Sequence, residues 1–440
     1  MVVKTKNAQA AAAATSVAAQ RWPHLLNQTI DTVLAPHPAR PETRATARQV
    51  ISALLPPLTR KNCWTLAEHA GHPSPYRTQH LLARAGLDEN ALTAALRGYV
   101  IEQLGTHDVV LVVDETGHIK QGINTVGVAR QYTGTTGQVE NCQVAVYLAY
   151  TTPAGHALVD HRLYPPLSWT DDLARLHKAG VPDTAGFATK PELAGQMIAA
   201  ALEHVPHAWV AGDEVYGRNP DLRAYLEQRG MGYVMEMSAT DRLTTPRGPL
   251  AVKELAVLVP HQGWQKRSAG AGSKGERFYD WALIDDVVDE RGVRWVLIRR
   301  NRTTGEPAFF HCFAPAPVSL SRLVAVAGRR WRVEESFQQG KGLAGLDEHQ
   351  VRTWTSWHRW SLLVMVAYAF VAVCRLRELC AHPPVAGLVA LTCNEIARLM
   401  HALFTVEHGR EHALAWSVFR RSHQVRAMGC HWRRRAASQP

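Results

Sequence analysis

Two short apolar runs, VVLVVDE (109–115) and AWVAGDE (208–214), decide the fold that we expect for this chain. Each run has the composition of a buried strand, and each ends in an acidic pair. A strand that stops at such a point directs a carboxylate out of the sheet edge into a cleft. Because side chains alternate along a strand, the two acids of a pair face opposite sides. We take Asp114 and Asp213 as the functional members, since the shorter side chain of Asp makes a stiffer metal ligand. One such pair alone would more often be a helix cap or part of a turn.

A third carboxylate stands in the helical run RRWRVEESFQQGK (329–341). Arg330, Glu334 and Lys341 are four and eleven residues apart, so they fall within about 40° of one another on a helix. This face could be an exposed ladder of weak ion pairs. It could also be a metal-binding Glu between two cations that hold a DNA backbone, and the apolar residues on other faces make the solvated ladder less favoured.

Two Asp and one Glu, widely separated along the chain, are typical ligands for a pair of Mg²⁺ ions that act on a phosphodiester. We therefore predict Asp114, Asp213 and Glu334 as catalytic residues and as metal ligands. The expected cofactor is two Mg²⁺ ions, for which Mn²⁺ can substitute.

The length of 440 residues predicts two or three folding units with ample core. Strands that come first in a group and then alternate with helices predict an α/β protein with a mixed sheet. The expected segments are a disordered tail (1–22), a helical DNA-binding or accessory domain (23–106), the first part of the core (107–237), a β-rich insertion (238–320), the second part of the core with the Glu helix (321–380) and a helical C-terminal region with a basic tail (381–440).

Charge favours a polyanionic partner, because 49 basic residues against 38 acidic ones give a net charge of +11. For any single basic segment, simple exposure to solvent without an anionic partner remains an alternative. Two segments outside the Glu helix are candidates for DNA contacts: SAGAGSKGER (268–277), with Lys274 and Arg277, and FRRSHQVRAMGCHWRRR (419–435), with Arg420 and Arg421.

The seven cysteines include no C-x-x-C pair, which argues against a zinc site or a disulfide framework and favours reduced thiols in a cytoplasmic protein. The longest apolar stretch, residues 361–374, is too short to span a bilayer and fits a buried core helix. We expect no membrane partner.

Taken together, the acidic regions resemble the DDE transposases of bacterial insertion sequences. The resemblance is closest to the 701-type group, a relative of a larger family with a Tyr-Arg-Glu-Lys signature, and it extends from about residue 40 to residue 435. The segments that carry it are VVDETGHIKQGINTVGVARQYTGTTGQVENCQV (112–144), WVAGDEVYGRNPDLRAYL (209–226) and RRWRVEESFQQGKGLAGLDEHQVRTW (329–354).

This resemblance implies an RNase H-like mixed sheet interrupted by a β-rich insertion, with helical N- and C-terminal regions. It assigns the metal-binding triad to the same two Asp and one Glu. Arg330 and Lys341 match the Arg and Lys of the signature, whereas the Tyr that precedes them in the signature is Ala327 here. A phosphate contact of that Tyr is therefore not carried over.

The implied activity is transposition: cutting DNA at the ends of an insertion sequence and joining the 3′-OH to target DNA. The implied partners are terminal inverted repeats, target DNA and a second copy of the chain in a synaptic complex, at the bacterial nucleoid. An RNase H-like nuclease or resolvase, or a non-catalytic DNA-binding remnant of a transposase, remains an alternative. A paired-carboxylate glycosidase fits the positive charge poorly.

Overall fold

A computed structural model describes residues 19–35, 40–245, 248–272, 275–382, 388–404 and 408–437, without the side chains of residues 244, 245 and 286–288. The chain forms two compact units. We call them the helical unit (residues 1–92, 340–351 and 355–440) and the sheet unit (residues 93–339 and 352–354).

The helices follow the periodic apolar patterns, and several begin where a polar side chain caps the first turn. Asn62, Thr189 and Ser319 each accept a hydrogen bond from a backbone N–H of the turn that follows. In chain order the described helices are α1 (Trp22–Leu34), α2 (Pro41–Ala53), α3 (Cys63–His69), α4 (Tyr76–Ala83), α5 (Glu89–Leu104), α6 (Leu167–Thr170), α7 (Leu173–Lys178), α8 (Lys190–Leu202), α9 (Glu214–Gly217), α10 (Pro220–Gln228), α11 (Val252–Leu258), α12 (Leu320–Arg329), α13 (Trp331–Ala344), α14 (Trp354–Ala381), α15 (Cys393–Phe404) and α16 (Arg410–Ala437).

Packing in the helical unit centres on α14, which is buried almost continuously from residue 356 to residue 374. This confirms the core helix predicted for residues 361–374. We assigned Trp22 to a disordered tail, but it begins α1 instead. Its side chain is buried, and its indole N–H donates to Glu378 at 2.8 Å. Residues 1–18 of that tail lie outside the described residues. None of the described helices combines the length and the apolar character that a membrane span needs.

The strands of the sheet unit include both predicted apolar runs. In chain order the described strands are β1 (Val110–Ile119), β2 (Ala129–Thr133), β3 (Gln138–Thr151), β4 (His156–Tyr164), β5 (Trp209–Gly212), β6 (Tyr233–Met237), β7 (Arg242–Thr245), β8 (Gly248–Ala251), β9 (Gln265–Gly272), β10 (Gly275–Asp289), β11 (Gly292–Asn301) and β12 (Pro307–Ala314).

One large mixed sheet takes up most of these strands, in the order β2-β3-β1-β5-β6-β12-β11-β10-β9, with β4 also paired to β3. β5 is parallel to β1 and β6 is parallel to β5, whereas β3 is antiparallel to β1 and β12 is antiparallel to β6. Helices α9 and α10 lie between β5 and β6 in the chain, as a parallel connection requires. The predicted α/β class, with a mixed sheet and helices at both ends of the chain, is confirmed.

The β-rich segment 238–320 extends this sheet. Its last strand, β12, pairs with β6 in a register that sets Phe309 opposite Met237, and β11, β10 and β9 follow outward. Val252 and Ile298 are buried in the core on this side. The segment boundaries that we drew from the sequence stay predictions.

A close approach between α12 and β9 fixes the helix that leads to the Glu region. A Cβ atom on Gly328 would lie 2.1 Å from the carbonyl oxygen of Ala269, so only glycine fits there. The guanidinium of Arg277, on β10, donates to Gly328 O at 2.9 Å and to Ala269 O at 2.8 Å. The start of α13 is thereby tied to the strands of the β-rich segment.

Candidate active site

Three carboxylates stand side by side where the parallel strands stop pairing. Val113 is the last residue of β1 that pairs with β5, opposite Gly212, and Gly212 pairs in turn with Met235 of β6. Residues at one level of a parallel register point to the same face of the sheet. The residues that follow these three are Asp114, Asp213 and Glu236.

The sequence led us to expect Asp114 at the end of its strand, and this expectation was wrong. β1 continues to Ile119, because it keeps pairing with β3 as far as Cys142 after its pairing with β5 has ended. The Asp114 side chain is buried and accepts a hydrogen bond from the backbone N–H of Glu115 at 2.7 Å. The cleft beside Asp114 forms because β5 ends at Gly212 while β1 continues.

Asp213 caps the short helix α9. Its carboxylate accepts a hydrogen bond from the N–H of Val215 at 2.9 Å, which holds the side chain beside the sheet. The helix also lies close against β6, since a Cβ atom on Gly217 would be 1.9 Å from the carbonyl oxygen of Glu236. The positions of the second and third carboxylates are therefore coupled through the backbone.

Arg330, at the junction of α12 and α13, lies among these acids. Its Nε is 3.1 Å from Glu236, and its Nη1 is 3.7 Å from Asp114 and 3.9 Å from Glu334. The i, i+4 relation between Arg330 and Glu334, inferred from helical periodicity, is thus present as a contact. A single guanidinium neutralises part of the negative charge of three carboxylates.

Glu334 lies in the first turn of α13, where Val333 and Phe337 bury other faces of the helix. The Glu334 side chain is 43% exposed, far more than the 10% of Asp114, so it can change rotamer at little cost. Asp114, Asp213 and Glu334 are hence near one another in the sheet unit, although their assignment as catalytic metal ligands stays a prediction.

Burial, and after it the crowding of like charges, raises the pKa of both aspartates. Burial, followed by the charge of Asp213, raises the pKa of Asp114 well above its ordinary value, and Arg330 opposes this shift. Burial and the charge of Glu115 raise the pKa of Asp213 to about 6, against Arg330 and the N–H of Val215. Both raised pKa values indicate that negative charge is concentrated at this site, so an additional positive charge would stabilise the ionised carboxylates.

Glu115, next to Asp114, has partners of its own. Its carboxylate accepts hydrogen bonds from Lys190 Nζ at 2.5 Å and from the hydroxyl of Tyr216 at 2.7 Å. Tyr216 is fully buried, and burial raises the pKa of its hydroxyl, so it remains a donor. This arrangement fixes β1 beside the cleft.

The donor set fits a divalent metal ion in kind, since hard cations such as Mg²⁺ prefer carboxylate oxygens. Among the described residues, however, no three His, Cys, Asp or Glu side chains are grouped closely enough to hold an ion. Arg330 is the cation that stands between the acids instead.

The basic residues predicted to contact DNA are dispersed. Lys341 lies on α13 with Glu334 but belongs to the helical unit. Arg277 is in the sheet unit, and its guanidinium donates to three carbonyl oxygens. Lys274 lies outside the described residues. Arg330 is the member of the set that contacts the acids of the site.

The other two, Arg420 and Arg421, lie on α16 in the helical unit. Arg420 is paired with Glu68 at 2.7 Å, close to the buried Trp416, whose indole N–H donates to His72 O at 2.7 Å. Arg421 is exposed and donates to Ser417 O on its own helix. Arg420 therefore also helps to hold α16 in place.

Glu236 was missed in the sequence. It follows the apolar residues YVM in the run YVMEM (233–237), so the rule that found Asp114 and Asp213 also applies to it. Its relevance depends on the pairing of β5 with β6, which brings residue 236 level with residue 213. No local pattern indicates that pairing.

Known proteins share these features to different extents. The family model described as DDE superfamily endonuclease matches residues 33–254, which are half of the chain and include Asp114 and Asp213. The probable transposase for insertion sequence element IS701 from Microchaete diplosiphon is 27% identical over 183 residues. This match covers 40% of the present chain and 44% of that relative, so the chain matches less than half of the relative's length.

Among solved structures, the piggyBac transposase in a synaptic complex with hairpin DNA matches with a TM-score of 0.40 and 10% identity, covering 90% of this chain and 82% of that one. So distant a likeness carries no weight for fold or function. The family match includes Asp114, Asp213 and Glu236, but not Glu334. Because the match covers half of the chain, this chain belongs to the DDE superfamily endonucleases.

Proposed function

We propose that this protein is a DNA transposase, which cuts DNA at the ends of an insertion sequence and joins the 3′-OH to target DNA. The observation that carries the proposal is the approach of Asp114, Asp213 and Glu334 to one edge of the sheet, with Arg330 among them. Family membership supports cleavage of phosphodiesters. The partial identity to a probable insertion-sequence transposase supports joining as well as cutting.

An RNase H-like core belongs to this proposal. Its support is the sheet order β4-β3-β1-β5-β6, in which β1 is central, antiparallel to β3 and parallel to β5. The first acid lies on that central strand, and the second follows the neighbouring parallel strand. The strands of residues 238–320 then form the insertion between the second acid and Glu334.

Two Mg²⁺ ions, or Mn²⁺ in their place, are the proposed cofactors. Such ions, when bound, lower the pKa of a water nucleophile and stabilise the attacking and leaving oxygens. The chain contributes one buried aspartate, Asp114, one half-buried aspartate, Asp213, and a more exposed glutamate with freedom to move. Asp114 and Asp213 would hold the ions from the sheet, and Glu334 would approach from the helix.

The positive side chains have a separate task in this proposal. Arg330 is a planar donor that suits a phosphate, and a scissile phosphodiester would compete with the carboxylates for it. Glu236 would keep the guanidinium nearby through its contact with Nε. The remaining proposed DNA contacts are Lys341, Lys274, Arg277, Arg420 and Arg421.

The proposed partners are DNA with terminal inverted repeats, target DNA and a second copy of the chain in a synaptic complex, at the bacterial nucleoid. The net charge of +11 supports binding to nucleic acid. No membrane partner is proposed.

The triad can be tested with single, nearly isosteric substitutions: Asp114→Asn, Asp213→Asn and Glu334→Gln. Each variant should bind DNA that carries the element's end but should not cleave it in Mg²⁺. Glu214→Gln is the matched control, because Glu214 adjoins Asp213 but pairs with Arg218 at 3.5 Å on the surface. Full cleavage by one of the three variants would remove that residue from the site.

A nuclease that cuts without joining is the second candidate, because the matching family is described as an endonuclease. Incubation of a pre-cleaved end with plasmid DNA discriminates the two functions. A transposase joins the end to the plasmid, whereas a resolvase or repair-type nuclease does not. Loss of both cleavage and joining in the unmodified protein would favour a DNA-binding remnant.

A further inference from the structure

A second, basic cleft lies within the sheet unit, apart from the carboxylates. It has a volume of about 600 Å³ and is formed by the loop after β1, the α6–α7 region and residues 352–353. Backbone hydrogen bonds join these segments, from Val126 N to Arg352 O at 3.0 Å and from Trp354 N to Ala179 O at 2.9 Å. The walls of the cleft are therefore held in place.

Three cations line this cleft: Arg175, Lys178 and Arg352. Within the described part of the chain, none of them has a carboxylate at ion-pair distance, in contrast to Arg300 and Arg302, which share Asp280. Unpaired cations that converge on one cleft leave a positive potential for an anionic ligand.

Arg175 is fixed in position. Its guanidinium lies 3.8 Å above the ring of the buried Trp169 and donates to Ile123 O at 2.9 Å. The indole N–H of Trp169 donates to Val128 O at 2.7 Å. The lining also contains Asp172, which accepts a hydrogen bond from the N–H of Arg175 as the cap of α7. With one acid against three bases, the lining is positive.

The cleft lies toward the same edge of the sheet as the carboxylates. β1 runs five residues beyond Asp114 to Ile119, about 17 Å at the rise of a strand, and its next loop forms one wall. Duplex DNA rises 3.4 Å per base pair. A duplex with one phosphodiester at the carboxylates is thus long enough to pass this cleft within the same helical turn.

We propose that this cleft binds the phosphodiester backbone of duplex DNA outside the cleavage point. The proposal rests on the function proposed above, and it adds a contact surface that the catalytic residues do not include. Lys178 and Arg352 are exposed and approach the backbone, while Arg175 and Trp169 form the rigid floor. The ligand class is the nucleic-acid backbone, because spaced, unpaired cations recognise phosphates without reading bases.

The test uses the full chain and a 40-base-pair duplex of mixed sequence, without divalent metal. The double variant Lys178→Gln/Arg352→Gln removes two charges and leaves the Trp169–Arg175 floor intact. Each lost phosphate contact lowers the slope of log K against log[salt] by about 0.9, so the double variant should lose about 1.8 of the slope of the unmodified protein. Circular dichroism and thermal unfolding check that the fold is unchanged.

Arg229→Gln is the matched control. Arg229 is exposed, lies 3.8 Å above the ring of Tyr225, and has no carboxylate at ion-pair distance among the described residues. It follows α10 and precedes β6, so it lies at the opposite edge of the parallel strands. Its substitution should leave the salt slope unchanged.

An unchanged slope in the double variant, or an equal loss in Arg229→Gln, would overturn the proposal. Polyglutamate provides a further arm: if the double variant loses binding to polyglutamate but keeps the DNA slope, the cleft recognises an acidic protein and the proposal is wrong. If the unmodified protein binds no duplex at any salt concentration, the proposed function fails together with this inference. If the unmodified protein binds duplex and the double variant has an unaltered salt slope, this inference fails and the proposed function is unaffected.

Discussion

Gly328→Ala should destabilise the sheet unit, although alanine is normally the better helix residue. The new Cβ would stand 2.1 Å from Ala269 O, and ordinary contact begins near 3.4 Å, so α12 has to withdraw from β9 by more than 1 Å. Overpacking of this kind costs about 1–3 kcal/mol, and loss of the hydrogen bond from Arg277 costs about 1 kcal/mol more. The better helix propensity of alanine offsets about 1 kcal/mol of this loss. We expect the free energy of unfolding to fall by about 2 kcal/mol.

Urea denaturation measures this change, with Gly98→Ala as the control. Gly98 is also a helical glycine of the sheet unit, but a Cβ atom there meets nothing within 4 Å. Its substitution should raise the free energy of unfolding by up to about 1 kcal/mol. The free energies of unfolding of the two variants should therefore lie on opposite sides of that of the unmodified protein and differ from each other by about 3 kcal/mol.

Cleavage of end DNA should respond as well, because α12 leads directly to Arg330 and Glu334. A displacement of 1 Å at catalytic groups costs about a hundredfold in rate. Gly98→Ala should cleave at the unmodified rate. If Gly328→Ala resists urea as well as Gly98→Ala does, the close approach of α12 to β9 does not exist in solution, and the reasoning from it is refuted.

Three other perturbations give separate tests. Burial lowers the pKa of Lys61 to about 8 from 10.5, so between these values the unfolded chain binds more protons and stability rises with pH. Across the whole of that pH range, the free energy of unfolding should rise by about 3 kcal/mol. Urea denaturation at pH 7 and pH 10 measures the rise, which Lys61→Met should lack. Arg97→Met should cost about 3 kcal/mol in the same assay, because its ion-pair carboxylate is fully buried, whereas Arg162→Met, which removes the more exposed partner of that carboxylate, should cost less. Glu236→Gln should reduce end cleavage about tenfold without weakening DNA binding, since it releases Arg330 from one anchor; equal cleavage in a single-turnover assay would assign Glu236 no role.

Local patterns predicted the strands but not their arrangement. The apolar runs at 109–113 and 208–212 contain the information that makes them buried strands. The order of the sheet depends on contacts between distant residues, such as Met237 with Phe309, which no short window of sequence contains. For the same reason the sequence identified a β-rich segment but not the edge of the sheet that it would extend.

The site was predictable to the extent that each residue had a local signal. Asp114 and Asp213 stood out by their apolar runs, and Glu334 by the helix face that it shares with Arg330. Glu236 carried a weaker form of the first signal and becomes informative only through the parallel register of β5 and β6. The error at Asp114 has the same origin, since β1 continues through a pairing partner that the run itself does not reveal.

Arg330 shows why the charge of a site has to be considered as a whole. Helical periodicity places it near Glu334, and the fold also brings it to Asp114 and Glu236. Acids this close raise one another's pKa, and a cation among them opposes that shift without cancelling it here. The arginine is that cation in the chain alone. Under the proposed function, a substrate phosphate would compete with these carboxylates for the guanidinium, so phosphate binding would weaken the contacts of Arg330 with Asp114 and Glu236.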